Sequence, residues 1–411
     1  VNMPVYAPTS EAEASQIIKT SATNGAALHL QGGGTRSGFG HAVKADSVLS
    51  SRGLSGIVAY DPAEMVLTAR AGTPMAEIEA AVTEAGQGLA FEPPDHRPLM
   101  GTTGTPTIGG VFATNASGPR RFTAGAARDH LLGIRFVNGR GEGIRAGGRV
   151  MKNVTGLDLV KLLAGSYGTL GFLTEVTFKV LPRPRAVETV VLSGLLDDEA
   201  ARAIAIAMAL PVEVSGAAHL PELVSPRLLG GHLPSGPATL LRLEGLPASV
   251  TERVAKLREA LSRLGSVTSL GAEESQLLWQ QVRDVIPFAD GQNKPVWRVS
   301  VAPMAGHQLV AGLRLHAAID AFYDWQGGLV WMRPESECDA SLIRQGIAAL
   351  GGGHATLMRA DQPMRAITPA FEPLSPAVAA LTAAVRLSLD PKALFNPGLM
   401  TPPQASFAES A

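Results

Sequence analysis

Sulfur chemistry is nearly absent from this chain. One cysteine, Cys338, stands among 411 residues. That excludes an intramolecular disulfide and a cysteine-rich metal or iron–sulfur site within the chain. Charged residues are scarce at 17%, and the net charge is −1. No basic footprint for nucleic acid or an anionic membrane exists. Long apolar runs are missing too. The longest uncharged helix-like one, Ala203 to Leu210, falls far short of the ~20 residues that cross a bilayer. No secretory leader is expected near Val1, because Tyr6 to Thr20 is polar and acidic. Val1 stands where a Met would begin a chain, so the natural start is left open. No histidine pair at short spacing occurs, since His307 and His316 are separated. A zinc or manganese site is therefore not expected.

What is present fits a well-buried globular enzyme. Hydrophobic residues make up 45%, and the length exceeds one ordinary core, so two domains are expected. The organising stretch is Leu28-His29-Leu30-Gln31-Gly32-Gly33-Gly34-Thr35-Arg36-Ser37-Gly38. An alternating strand leads into three glycines. Consecutive glycines can turn their N–H groups toward one point, and such an array holds an anion. Two familiar phosphate loops are excluded. A Walker loop needs Lys before its final Ser or Thr, and a Rossmann loop needs a third glycine where Ser37 stands. Alone, Gly-Gly-Gly reads as a flexible turn. A second stretch, Gly101 to Gly118, tips the balance. It is a long Gly/Thr-rich loop entering a short helix near Gly109, whose N-terminus favours an anion. Loops of that length are usually functional. A third stretch, Gly165-Ser166-Tyr167-Gly168-Thr169-Leu170-Gly171, is a tight turn into an apolar strand.

Around these lie regular elements. A helix spans Ser10 to Asn24, with a Ser10/Glu13 capping box and Gly25 as its stop. Strands are expected over 55–60, 65–71 and 131–137, with a hairpin at Asn138-Gly139. A helix starts at Thr73-Pro74 with Thr73 as N-cap. Pro182 and Pro184 mark a boundary. Beyond them, strands at 187–193, 212–218, 239–244, 296–301, 329–332 and 354–359 mix with helices at 197–210, 249–264 and 274–285. This pattern reads as an antiparallel sheet with helices on one face, an α+β arrangement. A last helix covers 376–389. Residues after Pro403 are expected to be disordered.

Taken in order, the three glycine-rich stretches resemble the FAD-binding domain of the vanillyl-alcohol oxidase and p-cresol methylhydroxylase (PCMH) type. Asn396-Pro397-Gly398 belongs to the same pattern. More narrowly, Glu92-Pro93-Pro94, Ala116 to Arg121, Val150 to Val154 and Gly352 to Leu357 resemble the FAD-binding subunit of bacterial glycolate oxidase. The resemblance implies a two-subdomain PCMH-type FAD domain over 1–184, an antiparallel-sheet cap over 185–370, and a segment over 371–411 returning to the FAD domain. It implies that Gln31, Gly32, Gly33, Gly34, Thr35, Thr102, Thr103, Thr107, Gly109, Gly110, Asn115, Ser117 and Gly118 wrap the pyrophosphate and ribityl chain. Gly165, Gly168, Thr169, Gly171 and Leu173 would lie along the adenine-ribose side. Relatives that link flavin covalently carry His where Gly34 stands, so non-covalent FAD is expected. Leu157-Asp158 replaces the more usual Tyr-Asp.

The implied reaction is oxidation of glycolate or a related 2-hydroxy acid, by hydride transfer to flavin and proton transfer to a base. A carboxylate substrate calls for an arginine fork. Arg298, Arg333 and His354 are the candidates, while Trp297 and Trp331 read as core. Partners implied are a catalytic flavoprotein subunit and an Fe–S subunit, with contacts expected on the cap domain and near Pro234 and Pro287. The location expected is cytoplasmic, or at the inner membrane face through partners. Two other readings stay open. One is a self-sufficient 2-hydroxy-acid dehydrogenase, acting for example on D-lactate. The other is a non-catalytic flavin-binding scaffold.

Overall fold

The computed structural model describes residues 3–148, 157–335 and 339–400. Val150 to Val154, Cys338 and the segment after Pro403 lie outside the described residues.

The helix Glu11–Asn24 begins where Ser10 accepts a hydrogen bond from Glu13 N–H, and ends at Gly25, φ 66°. Glu13 does not close the box on Ser10; its carboxylate takes the Thr9 N–H instead. Ala14 and Ile18 bury against Leu28 and Leu49. These belong to parallel strands, Leu28–Gln31 and Ser47–Ser50, with Val5–Tyr6 on the outer edge. The C-terminal segment completes this layer. Leu28 N–H donates to Leu394 O, and Asn396 Oδ1 accepts from Leu30 N–H at 2.8 Å. The Asn396 amide also donates to Tyr167 O at 2.9 Å. One side chain thus ties the strand that feeds Gly32 to the turn that carries Gly168.

A second layer is a five-stranded antiparallel sheet. Its order is Ile57–Asp61, Val66–Arg70, Phe172–Lys179, Leu131–Val137, Gly143–Gly147. Phe112, Phe136 and Phe178 are fully buried on it. Two local expectations fail here. Thr73 is not an N-cap, because its hydroxyl is bound to Gly56 and to Arg70 O, and the helix Met75–Glu84 follows Pro74. The hairpin after Val137 is longer than Asn138-Gly139. Asn138 N–H bonds Glu142 O, and Gly141 takes the left-handed φ of 73°.

The third layer is an eight-stranded antiparallel sheet. Its order is Ser266–Leu270, Ala186–Ser193, Ala238–Gly245, Val214–Leu220, Ile319–Asp324, Leu329–Pro334, Val296–Ser300, His354–Arg359. Helices Asp197–Ala209, Pro247–Leu261, Gly306–Arg314 and Ala340–Ala349 cover one face. Val191, Phe322 and Trp331 are apolar on the other face. They pack on helix Ala272–Arg283 and on Phe39 and Leu99 of the N-terminal part. Pro287 is buried within that packing, so it offers no contact surface. The large apolar side chains left in solvent include Val378, Leu381 and Leu387 on helix Pro376–Leu389.

Candidate active site

The first glycine loop lines an elongated cavity of about 200 Å³. Gln31, Gly32, Gly33, Gly34 and Thr35 form one wall. Thr107, Gly109, Gly110, Gly168, Gly171 and Leu173 form others. The N–H groups of Gly33, Gly34, Thr35 and Arg36 donate to no acceptor among the described residues. Four consecutive free donors on a loop without bulk make an anion cradle. Among the described residues no Asp or Glu lines this cavity, whereas Arg36 and Arg365 do. Gly34 has φ 77°, a conformation that a linking His would adopt only under strain.

The second loop works differently from expectation. Its helix, Ile108–Ala113, starts with its N–H groups already engaged. Ile108 N–H bonds Thr73 O, Gly109 N–H bonds Ala71 O, and Gly110 N–H bonds Thr107 Oγ1. This short helix offers wall, not charge, to the cavity. Its glycines serve close packing. A Cβ on Gly109 would sit 2.6 Å from Ala71 O, and one on Gly33 only 1.5 Å from Thr105 O. Thr102, Thr103 and Thr169 are not among the lining residues. Thr102 is bound to Thr35 O, Thr103 is exposed, and the Thr169 hydroxyl closes its own turn on Ser166 O.

A second cavity, about 300 Å³, adjoins the first, and Arg36, Phe39, Thr114 and Tyr167 line both. Phe39 and Tyr167 stack at 5.1 Å at this junction. Asn115, Ser117, Gly118 and Gly165 lie on the second cavity, facing the sheet of the third layer. That sheet contributes Arg298, Asp324, Trp331 and His354. Two inter-layer contacts hold the wall. Arg242 grips Glu92 through two hydrogen bonds of 2.8 and 3.1 Å, and Trp325 Nε1 donates to Gly118 O at 3.0 Å. Burial pushes the Glu92 carboxyl up, but Arg242 more than offsets this and holds it below its usual value.

Three guanidiniums on this cavity, Arg36, Arg121 and Arg298, make neither an ion pair nor a side-chain hydrogen bond with any described residue. Arg121 and Arg298 each stack on Trp325, at 4.8 and 4.9 Å. Burial and the nearby Arg121 bring Arg298 down to about 10, so it stays charged at neutral pH. Arg283 also lines the cavity but is paired with Asp284 at 2.8 Å. His354 is exposed at the rim, and burial of part of its ring, with Arg298 and Arg121, lowers its pKa. His96 is buried with neither ring nitrogen hydrogen-bonded. Burial, Arg36 and Arg298 push it well below the usual imidazole range.

Arg333 does not join this group. Its side chain is buried between Asp290, at 2.5 Å, and Asp320, at 3.2 Å, over the Phe288 ring. Two carboxylates satisfy it, which makes it a structural cation and corrects its place among the candidates. Trp297 is fully buried in the core. Trp331 is 5% exposed and lines the second cavity. Sequence reasoning missed Arg36, His96, Arg121 and Asp324. Arg36 and Arg121 adjoin recognised motifs and were within reach. Asp324 was not, because its strand, Ile319–Asp324, carries an Asp at each end and reads as loop.

Residues 4–147 match the FAD binding domain family. Glycolate oxidase subunit GlcE of Escherichia coli is 37% identical over 91% of this chain and 92% of its own length. Glycolate oxidase subunit GlcD of Bacillus subtilis is 29% identical over 66% of this chain and 57% of its own. Among solved structures, p-cresol methylhydroxylase with substrate bound superposes with a TM-score of 0.72. It is 14% identical and covers 97% of this chain and 88% of that one.

Proposed function

The chain belongs to the family of glycolate oxidase subunit GlcE; from there we propose that it holds FAD non-covalently in the first cavity. We further propose that it oxidises glycolate or a related small 2-hydroxy acid in the second. The observation that carries the reading is the convergence of Arg36, Arg121 and Arg298, none with a carboxylate partner among the described residues, on a cavity continuous with a glycine-lined cradle. Partly buried guanidiniums without counter-ions call for an anion, and a carboxylate fits their fork.

The cradle suits the pyrophosphate of FAD. Gly33, Gly34, Thr35 and Arg36 would hold it through their free N–H groups, and Arg365 adds charge from the cap side. FAD, when bound, supplies the two-electron acceptor. Arg298 would anchor the substrate carboxylate, with Arg121 fixed beside it through the shared Trp325 face. Trp331, Met358 and Phe371 close the cavity and limit water.

The GlcE relative is named as a subunit, and this chain carries one cysteine. It therefore needs partners to export electrons, for which we propose a second flavoprotein and an Fe–S subunit. No helix among the described residues is long and apolar enough to cross a membrane; a cytoplasmic place, with any membrane contact made by partners, completes the reading. The test is anaerobic bleaching of the bound flavin by glycolate, D-lactate and other 2-hydroxy acids, with and without co-expressed partners. Bleaching that follows glycolate and slows about 10- to 100-fold in Arg298→Met supports the reading. No bleaching under either condition, or an unchanged bleaching rate in Arg298→Met, refutes it.

A further inference from the structure

The reaction needs a proton acceptor, and the two histidines on the cavity are poorly placed for it. Burial, then Arg36 and Arg298, push His96 well below the usual imidazole range and make it a weak base, and His354 sits exposed at the rim. One buried carboxylate on the cavity has no task so far. Asp324 ends the strand Ile319–Asp324 and is 3% exposed. One of its oxygens accepts the Trp325 N–H at 2.7 Å; the other takes no hydrogen bond from any described residue. No cation among the described residues lies within ion-pair distance of it, although Arg242, Arg298 and Glu92 act on it through space. A buried carboxylate with no counter-ion and one free oxygen is costly and uncommon unless used.

The backbone beyond it is strained to keep it there. Trp325, Gln326 and Gly327 have φ values of 48°, 64° and 94°. Consecutive left-handed residues that are not glycine persist only when their surroundings impose them. Arg121 and Arg298 on the indole, and the indole N–H on Gly118 O, supply that constraint.

Resting on the 2-hydroxy-acid reading above, we propose that the free oxygen of Asp324 accepts the hydroxyl proton of the substrate. As the O–H bond breaks, its proton passes to Asp324. The Cα hydrogen would leave with both electrons of its bond, as hydride, for the FAD held in the first cavity, and the C–O bond becomes a carbonyl. The acid loses two electrons and the flavin gains two. Arg298 and Arg121 hold the carboxylate of the same substrate. The groups facing Asp324 are Arg242 and Glu92 from the inter-layer pair and Arg298 from the strand two places along the sheet. Burial dominates over them and raises the Asp324 carboxyl to about 7, the range in which a base and its conjugate acid both serve at neutral pH.

Asp324→Asn keeps the acceptor for Trp325 N–H and removes the base. Flavin occupancy and melting confirm that the variant folds. Anaerobic bleaching by glycolate, with the partner subunits if they are required, should slow by about 10²–10⁴-fold. In the wild type, the second-order rate constant of bleaching at limiting glycolate should rise with pH through a midpoint near 7. Infrared difference spectra of the flavin-free chain should show a protonated carboxyl band that titrates in the same range and is missing in Asp324→Asn. Wild-type bleaching with an unchanged rate in Asp324→Asn overturns this role alone. So does a flat wild-type pH profile, which decides the matter even if the variant does not fold. Wild type that never bleaches overturns the proposed activity and this role with it.

Discussion

At the scale of single residues, several side chains do other work than their sequence context suggests. Gly33 was legible as part of a phosphate loop, but its lack of a side chain is demanded by Thr105 O, 1.5 Å from a would-be Cβ. Two loops meet backbone to backbone there. Gly33→Val should therefore lower the melting temperature of the flavin-free chain and FAD occupancy together. Loss of FAD with unchanged melting would return the glycine to a purely phosphate-facing role. Arg298 and Arg333 look alike in sequence, each within two residues of a tryptophan on a strand. Their neighbours separate them, and no local pattern carries that information. Arg298→Met should keep FAD and stability while kcat/KM falls about 10- to 100-fold, the worth of a charged hydrogen bond. Arg333→Met removes the partner of half-exposed Asp290 and leaves Asp320 to Arg227 alone, and should cost about 1–3 kcal/mol, measured by denaturant unfolding. Asp324 supplies a sign test. Its folded pKa, about 7, lies above the unfolded value of 3.8. The protonated form folds without penalty, so stability is full below pH 3.8 and is lost as pH rises from there through 7. Asp324→Asn should thus melt higher than wild type at pH 8, by a margin that shrinks as pH falls from 7 toward 4.

At the scale of elements, legibility followed burial pattern. Helices Glu11–Asn24 and Pro376–Leu389, and strands Leu131–Val137 and His354–Arg359, were readable almost to the residue. Each has a clear cap or a clear alternation. Strand Ser266–Leu270 escaped because it is a half-exposed edge rich in Ser and Thr, paired on one side only. Strand Ile319–Asp324 escaped because both its faces are buried and its ends are acidic. Helix Asp197–Ala209 shows how such an element is locked in place. Asp197 in its first turn receives Tyr323 OH at 2.7 Å and Arg314 at 3.0 Å, and lies 3.3 Å from His219 Nε2. Burial raises its carboxyl, yet His219, Tyr323 and Arg314 together bring it to about 2 from 3.8. A depressed pKa gives stability that is full above pH 4 and fades as pH falls toward 2. Asp197→Asn should lower stability at pH 7 by about 1–2 kcal/mol, allowing for solvent on its open side. The difference from wild type should shrink below pH 3; a constant difference would mean the carboxylate charge is not what holds the helix.

At the scale of the whole molecule, both cavities sit where separate layers meet. The cradle joins the N-terminal strands, the second loop and the returning Asn396 segment, while the adjoining cavity needs the eight-stranded sheet as its far wall. A ligand spanning both touches every layer and stabilises the fold by mass action. Acid precipitation should release the yellow colour to the supernatant, since Gly34 offers no atom for a covalent link. The electrons are a separate matter. A flavin reduced in this site has no onward carrier within the chain, which holds a single cysteine. Adding substrate to the chain without an acceptor should thus give at most one equivalent of reduced flavin and then stop. Steady turnover should require the second flavoprotein and the Fe–S subunit of the proposed complex. The check is a comparison of burst and steady-state amplitudes, for the chain alone with a soluble quinone and for the assembled complex. A burst of one equivalent in the chain, with sustained turnover only in the complex, supports electron export through partners. Sustained turnover by the chain alone, at the rate of the complex, would make it a self-sufficient dehydrogenase, with the cavity chemistry of Arg298 and Asp324 unchanged but no need of a subunit to receive its electrons.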